Sequence, residues 1–272
     1  MSNTKEIAVG IDIGGTNSRF GVVTGNGDVL EHDRFPTSSY PKAEGYVRAI
    51  SRKIKEVFKK YEEYTFKGIG IGAPNGNYFK GTIEQAPNLP WKGMISFVDM
   101  FKRQFSERVV LTNDANAAAI GEMMFGGARH MKDFIVITLG TGLGSGIVVN
   151  GDLVYGHDGF AGEIGHTFVY MDSGRKCGCG RRGCLETYAS AQGIKRTVFE
   201  LLAEKTRDSE LRGFSFNEMS SEDIFHAAQN GDRLAKEAFD ITGQYLGMKL
   251  ADSVVYTSPE AIFLYGGLAK SG

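Results

Sequence analysis

The sequence predicts an α/β protein whose two halves share a similar plan. Three observations carry this. Apolar runs switch between a period of two and a period near 3.6 along the chain. A strand, glycine turn and strand unit opens the chain and returns near its middle. The 272 residues also exceed the usual size of one domain.

The run IAVGI, Ile7 to Ile11, is short, β-rich and ends near a glycine pair, and RFGVV follows directly after GGTNS. These read as two antiparallel strands around a tight turn. GNGDV, Gly25 to Val29, turns the chain into a third strand ending near Phe35. Over residues 43–62 the period changes: Tyr46, Val47, Ile50, Ile54, Val57, Phe58 and Tyr61 share one face, opposite Lys and Glu, as an amphipathic helix requires. KGIGIGAP returns to a buried strand, and a loop rich in Gly, Asn and Pro runs to Trp91. A short helix around Ser96 to Phe105 and the strand RVVLT complete the order βββαβαβ, a mixed sheet with helices packed on it. Residues 1–113 are taken as an N-terminal α/β lobe.

Residues 114–272 are taken as a larger C-terminal α/β lobe. It starts with an alanine-rich helix, Ala115 to Met124, followed by the strand FIVITLG, the loop TGLGS and the strand GIVVNGDLVY. From Ala189 helices dominate, with Ile224 to Gln229 and Leu234 to Leu250 at helical spacing, before a last strand AIFLYGG. A buried strand followed by GGLAKSG normally feeds another helix, so the sequence reads as cut short at Gly272, lacking its final helices.

Composition narrows the function. Lys and Arg number 31 against 32 Asp and Glu, leaving no basic excess for nucleic acid. No run approaches the roughly 18 to 20 apolar residues of a membrane span, and MSNTKEIAVG lacks a signal-peptide core. A cytoplasmic protein is expected. Three crowded cysteines suit metal binding or free thiols better than a disulfide framework. Glycine is frequent, at 37 residues, and sits in clusters between apolar runs, as where backbone approaches a ligand.

Four motifs carry chemistry. In GIDIGGTNSRFG, Asp12 ends a strand and Gly14, Gly15, Thr16 and Asn17 form the turn. Its amides and hydroxyl suit phosphate oxygens, and its carboxylate suits a hydrated Mg²⁺, although a hairpin can need glycine for its turn alone. LGTGLGSG continues into a strand and not a helix, which excludes a dinucleotide fingerprint; a second phosphate hairpin at Thr141 and Gly142 fits better. No GKS or GKT occurs. Two such hairpins suggest a nucleotide held in a cleft between two lobes. In TNDANAAAIGE, Asn113 and Asp114 stand where a strand yields to a helix, so Asp114 suits either an N-cap or a general base. Finally, Cys177, Cys179 and Cys184 in RKCGCGRRGCLE, with His166 as the nearest histidine, suggest a closed Cys3His zinc site.

DIGGTN, NDANAAAIGE, LGTGLGSG, GFAGEIGH and CGCGRRGCLE together resemble, in order and spacing, the ROK family of sugar kinases and sugar-responsive repressors, and within it the bacterial ATP-dependent glucokinases. The match runs from Asp12 to Gly267. The resemblance implies the actin-like ATPase fold, also called ribonuclease H-like, with two lobes around a cleft. It implies ATP and Mg²⁺, a structural Zn²⁺, and Asp114 as the base on the sugar's 6-hydroxyl. Asn88, Asn113, Glu163, His166 and Glu186 take the sugar-binding positions. Asp12, Gly14, Gly15, Thr16, Asn17, Thr141 and Gly142 fall to the phosphates, and Gly266 and Gly267 to the adenosine. His166 would serve twice, one ring nitrogen on zinc and the other toward a sugar hydroxyl. A homodimer is expected, acting on sugar and ATP, without nucleic acid or membrane. N-acetylmannosamine and fructose remain alternative substrates. A sugar-sensing regulator is the competing class, but only eleven residues precede Asp12, too few for a helix-turn-helix domain.

Overall fold

The computed structural model describes residues 5–171 and 173–271. The first four residues, Asp172 and Gly272 lie outside them, and with them the outermost positions of the two expected lobes. The chain divides into two compact units, one reaching His130 and including Tyr155–Ala161, the other made of Met131–Val154 and the residues from Gly162.

In the first unit, β1 (Glu6–Ile13), β2 (Asn17–Thr24), β3 (Val29–Pro36), β4 (Thr65–Gly72) and β8 (Arg108–Thr112) form a sheet in the order β3-β2-β1-β4-β8. β1 pairs antiparallel with β2 and parallel with β4, and β4 pairs parallel with β8. Alternation explains β1: Ile7, Val9, Ile11 and Ile13 all turn into the core. Helix α1 (Ala43–Lys60) returns the chain from β3 to β4, with Tyr46, Ile50 and Ile54 fully buried. The Tyr46 hydroxyl, deep in that core, donates to Ser18 Oγ at 2.7 Å, and Ser18 in turn pairs with Thr37 at 2.7 Å, so these three hydroxyls satisfy one another.

Two features of this unit depart from the sequence expectation. The stretch taken as a loop up to Trp91 contributes to a small sheet of β5 (Gly76–Asn77), β6 (Thr82–Glu84) and β7 (Met94–Ile95), strands too short to show a period in sequence. The lobe boundary expected between Asn113 and Asp114 also falls inside the unit, because α3 (Asp114–Phe125) packs on β4. A Cβ on Gly72 would stand 3.1 Å from Ala117 Cβ and 3.5 Å from Asp114 Cα. Residues 155–161 join the same unit through Asn77, whose Nδ2 donates to the Asp158 carbonyl at 2.8 Å, and through Tyr155 stacked on Tyr78 at 4.4 Å.

The second unit repeats the pairing plan. β9 (Phe134–Leu139) is antiparallel to β10 (Leu143–Val149) and parallel to β12 (Ala261–Tyr265), and β11 (Asp152–Leu153) adds to β10. The single strand expected over GIVVNGDLVY is thus two strands. Asn150 and Gly151 break it with φ of 54° and 82°, a two-residue hairpin turn. Helices α4 (Ala191–Glu204), α5 (Ser221–Gln229) and α6 (Arg233–Thr257) bury Ile194, Val198, Ile224 and Leu234 beside Ile135 and Ile137 of β9. Among the described residues no helix is long and apolar enough to cross a membrane.

Truncating the α1 core should weaken the first unit measurably. Ile54→Ala is expected to cost about 2–5 kcal/mol, read as a lower urea midpoint of this unit's transition with an unchanged slope.

Candidate active site

Strand register assembles the first group of predicted residues. Asp12 pairs with Gly72 across β1 and β4, and Gly72 pairs with Thr112 across β4 and β8, so the three strands end on one line. Residues just past the carboxyl ends of parallel strands are where open α/β sheets place ligands. Asn113 and Asp114 lie there, one and two residues beyond this line, as does the turn after β1. The cap of α3 is Asn113 and not Asp114: Asn113 Oδ1 accepts the Ala115 N–H at 2.8 Å. Asp114 is the first helical residue, and its Oδ1 accepts the same N–H at 2.9 Å.

The Asp114 carboxylate reaches solvent, yet the protein packed around it raises its pKa by desolvation. The Ala115 N–H opposes that rise, and the negative charge of Asp12 adds to it. Asp12 is raised as well, by desolvation first, against the pull of Arg19. A carboxylate whose charge is disfavoured by burial and by a second carboxylate suits a proton acceptor beside a cation site.

Glycine is sterically required in the turn. Gly14 N–H donates to the Asn17 carbonyl at 3.2 Å, and a Cβ at Gly14 would lie 2.6 Å from that oxygen. A Cβ at Gly15 would overlap the Asn88 carbonyl, so the loop carrying Asn88 rests directly on the turn. Thr16 and Asn17 are exposed, with the Thr16 carbonyl accepting Ser38 N–H at 3.1 Å.

The second unit has a matching edge. Leu139 pairs with Leu143 across the β9–β10 turn, and Tyr265 of β12 pairs with Thr138, which sets Thr141, Gly142, Gly266 and Gly267 at the carboxyl ends of these strands. Gly266 has a φ of 107° and lies against the Leu139 carbonyl, leaving no space for a side chain. Thr141 is exposed, but the turn is not open throughout: Leu143 N–H donates to Glu186 Oε2 at 3.2 Å, and the same carboxylate fills the space beside Gly142. Glu163 precedes a short 3₁₀ turn, Ile164–His166, and its carbonyl accepts His166 N–H at 3.0 Å. Ser145 secures this turn, its hydroxyl accepting Ile164 N–H at 3.0 Å and donating to the Gly162 carbonyl. Sequence reasoning missed Ser145, because its partners lie far along the chain and a serine in a strand gives no sign of them.

The four predicted metal ligands converge. One donor atom each from His166, Cys177, Cys179 and Cys184 lies within 4.8 Å of every other. Cys177 Sγ is 3.7 Å from His166 Nδ1, and Cys179 Sγ is 3.7 Å from Cys184 Sγ. That is too long for a disulfide and close to the edge of a tetrahedron with metal–sulfur bonds of about 2.3 Å. Burial pushes the Cys177 thiol up to about 12, helped by the neighbouring cysteines and Glu186 against a backbone N–H. At Cys179 burial also acts upward, but hydrogen bonds from the Arg181 backbone and guanidinium and from the other two thiols outweigh it, down to about 7. Three sulfurs and one imidazole at these spacings fit a closed zinc site, and Glu186 Oε1 accepts from Cys177 Sγ at 3.6 Å. The adjacent arginines, visible in RKCGCGRRGC, were the available sign of the Arg181 contact.

The ROK family model matches residues 8–272. The chain belongs to the ROK family. The glucokinase of Halalkalibacterium halodurans is 35% identical over 273 residues, spanning 97% of this chain and 81% of that one. A ROK glucokinase from Streptomyces griseus, solved with glucose and AMPPNP, superposes with a TM-score of 0.80 at 35% identity, covering 98% of this chain and 85% of that one. A ROK transcriptional regulator homologous to the E. coli MLC protein gives a TM-score of 0.85 at 28% identity, covering 98% of this chain and 66% of that one. The α/β fold of actin-like ATPase type expected from the sequence is therefore the fold of this ROK protein.

The electrostatics of this ROK protein predict a titration. The Asp114 carboxyl, followed by NMR, should titrate above the ordinary 3.8, and Asp12→Asn should lower that value. A pKa raised on folding makes a stability contribution that is present at low pH and lost as pH rises through the folded value. Asp114→Asn should therefore melt no lower than wild type at pH 7, checked by calorimetry.

Proposed function

We propose that this chain transfers the γ-phosphoryl group of ATP to the 6-hydroxyl of a hexose, with glucose as the preferred acceptor. The observation that carries the reading is Asp114: a solvent-reaching carboxylate of raised pKa, on the first residue of a helix, at the carboxyl edge of parallel strands beside Asp12. The choice of glucose draws support from glucokinase relatives at 34–35% identity.

Phosphoryl transfer asks little covalent chemistry of a protein, so rate comes from alignment and from placing charge where it develops. In the proposed step the sugar O6–H bond breaks and its proton passes to Asp114 Oδ. A bond forms between O6 and the γ-phosphorus, and the bond from that phosphorus to the bridging oxygen of ADP breaks. A raised pKa helps Asp114 as proton acceptor, provided the carboxyl stays ionised at the working pH. Asn88, Asn113, Glu163, His166 and Glu186 orient the sugar hydroxyls. The turns Gly14–Asn17 and Thr141–Gly142 receive the phosphates, and Gly266 and Gly267 admit the adenosine. Asp12 would hold a hydrated Mg²⁺, which would supply positive charge against the phosphates. His166 through Nδ1, with Cys177, Cys179 and Cys184, would hold Zn²⁺, which would brace the loop, and His166 Nε2 would be the ring nitrogen for a sugar hydroxyl. With this activity go a cytoplasmic, glycolytic homodimer and no nucleic-acid partner.

A second reading, a sugar-responsive regulator, draws on the likeness to the ROK regulator. One assay separates the two. A coupled measurement of ATP consumption across glucose, N-acetylmannosamine, mannose and fructose should give turnover with glucose, whereas sugar binding without turnover favours the regulator. Asp114→Asn should lose at least about a thousandfold in kcat while retaining glucose binding and metal content, as loss of a general base beside the transferring group predicts. Elemental analysis should find one zinc per chain, and Cys177→Ser should lose it on dialysis against chelator; full retention refutes the Cys3His assignment.

A further inference from the structure

Arg175 stands two residues before the first metal-ligating cysteine, and its side chain is only 10% exposed. A buried guanidinium is costly unless every N–H is answered. Here all five are. Nε donates to Glu200 Oε1 at 2.9 Å and Nη2 to Glu200 Oε2, a bidentate fork on a carboxylate of α4. Nη1 donates to the carbonyls of Thr187 at 2.8 Å and Gly193 at 3.0 Å, and Nη2 also donates to Thr197 Oγ1 at 2.9 Å. The guanidinium carbon lies 4.3 Å from the ring centroid of Tyr188, a desolvated cation–π contact.

The backbone of the same residue closes the metal loop. Its carbonyl accepts Gly183 N–H at 2.9 Å, joining the two strands of the loop's neck around Cys177 and Cys179, and its N–H donates to Tyr188 Oη at 3.0 Å. Its side-chain partner Thr187 directly follows Glu186 in the short 3₁₀ turn Leu185–Thr187. The amide of Leu143 and the thiol of Cys177 hold the Glu186 carboxylate itself. One residue therefore ties the neck of the metal loop, the turn bearing Glu186 and the start of α4 into a single body.

We propose that Arg175 is a positioning residue whose five-donor fork sets the place of Glu186 and the neck of the Cys177–Cys184 loop, so that sugar affinity and metal retention depend on it together. The sugar arm rests on the sugar-kinase reading above; the metal arm does not. Lysine cannot replace the fork, since its ammonium reaches fewer acceptors and has no planar pair for Glu200.

The test uses the full chain as Arg175→Lys and, should that variant fail to fold, Glu200→Gln, whose half-exposed carboxylate can be neutralised without disturbing the core. Three quantities are read: glucose affinity by calorimetry without ATP, KM for ATP against KM for glucose, and the rate of zinc transfer to 4-(2-pyridylazo)resorcinol. Arg175→Lys should weaken glucose binding about tenfold, as a sugar-binding carboxylate released from its held position predicts. It should also speed zinc transfer, with the KM for ATP unchanged within about twofold. Glu200→Gln should shift both in the same direction by less. Wild-type glucose affinity or wild-type zinc transfer in the folded variant overturns the proposal, as does an equal rise in both KM values. If the unaltered chain binds no hexose, the sugar-kinase reading falls, and the zinc-transfer rates alone decide the role of Arg175.

Discussion

Parallel pairing puts Asp12, Gly72 and Thr112 on one line across the sheet of the first unit, and the glycine turn, Asn113 and Asp114 all follow where this line ends. A strand that stops leaves its next residues free to turn toward a ligand. β1 uses that freedom for the glycine turn, and β8 uses it to start α3. The helix can begin so close to the sheet because residue 72 has no side chain; a Cβ there would stand 3.1 Å from Ala117 Cβ. Gly14, Gly15, Gly72 and Gly266 are in this sense steric conditions for proximity more than sources of flexibility. At Gly15 and Gly266 the obstructing atoms are backbone carbonyls, which cannot move aside as a side chain can.

The second unit applies the same pairing to a different end. β9 with β10 and β12 repeats the antiparallel and parallel partners of β1, but its glycine turn is shared with a carboxylate from elsewhere in the chain. Glu186 links the Leu143 amide to the Cys177 thiol and so to the cluster of His166 and the three cysteines. A carboxylate held at two points loses little further freedom when it meets a ligand, which is the physical benefit of preorganisation.

The carboxylates of the first unit show the cost of such arrangements. Asp114 sits where its charged form is disfavoured, by desolvation and by Asp12, so it burdens the folded state at neutral pH while becoming a better proton acceptor. Asn113 caps α3, and it shares the Ala115 N–H with Asp114, so the capping donor also offsets part of the rise in the carboxylate's pKa.

Much of this was legible in the sequence. Alternation in IAVGI and the helical period of residues 43–62 fixed β1 and α1 closely, since both patterns reflect burial along one face. The spacing of Cys177, Cys179 and Cys184 pointed to a cluster because ligands so near in sequence have little freedom to be apart. The short strands β5, β6 and β7, the break at Asn150 and Gly151, and the cap on Asn113 were not legible, as each spans too few residues to carry a period. By itself the sequence determined which residues could do chemistry and which local elements carry them, because side-chain type and periodicity are local properties. Only the tertiary structure decided that Ser145 holds the Glu163 turn, that Glu186 meets the Leu143 amide and that Arg175 spends all five donors on partners 12 to 25 residues away. Those contacts depend on how distant segments pack, and no short stretch of sequence encodes them.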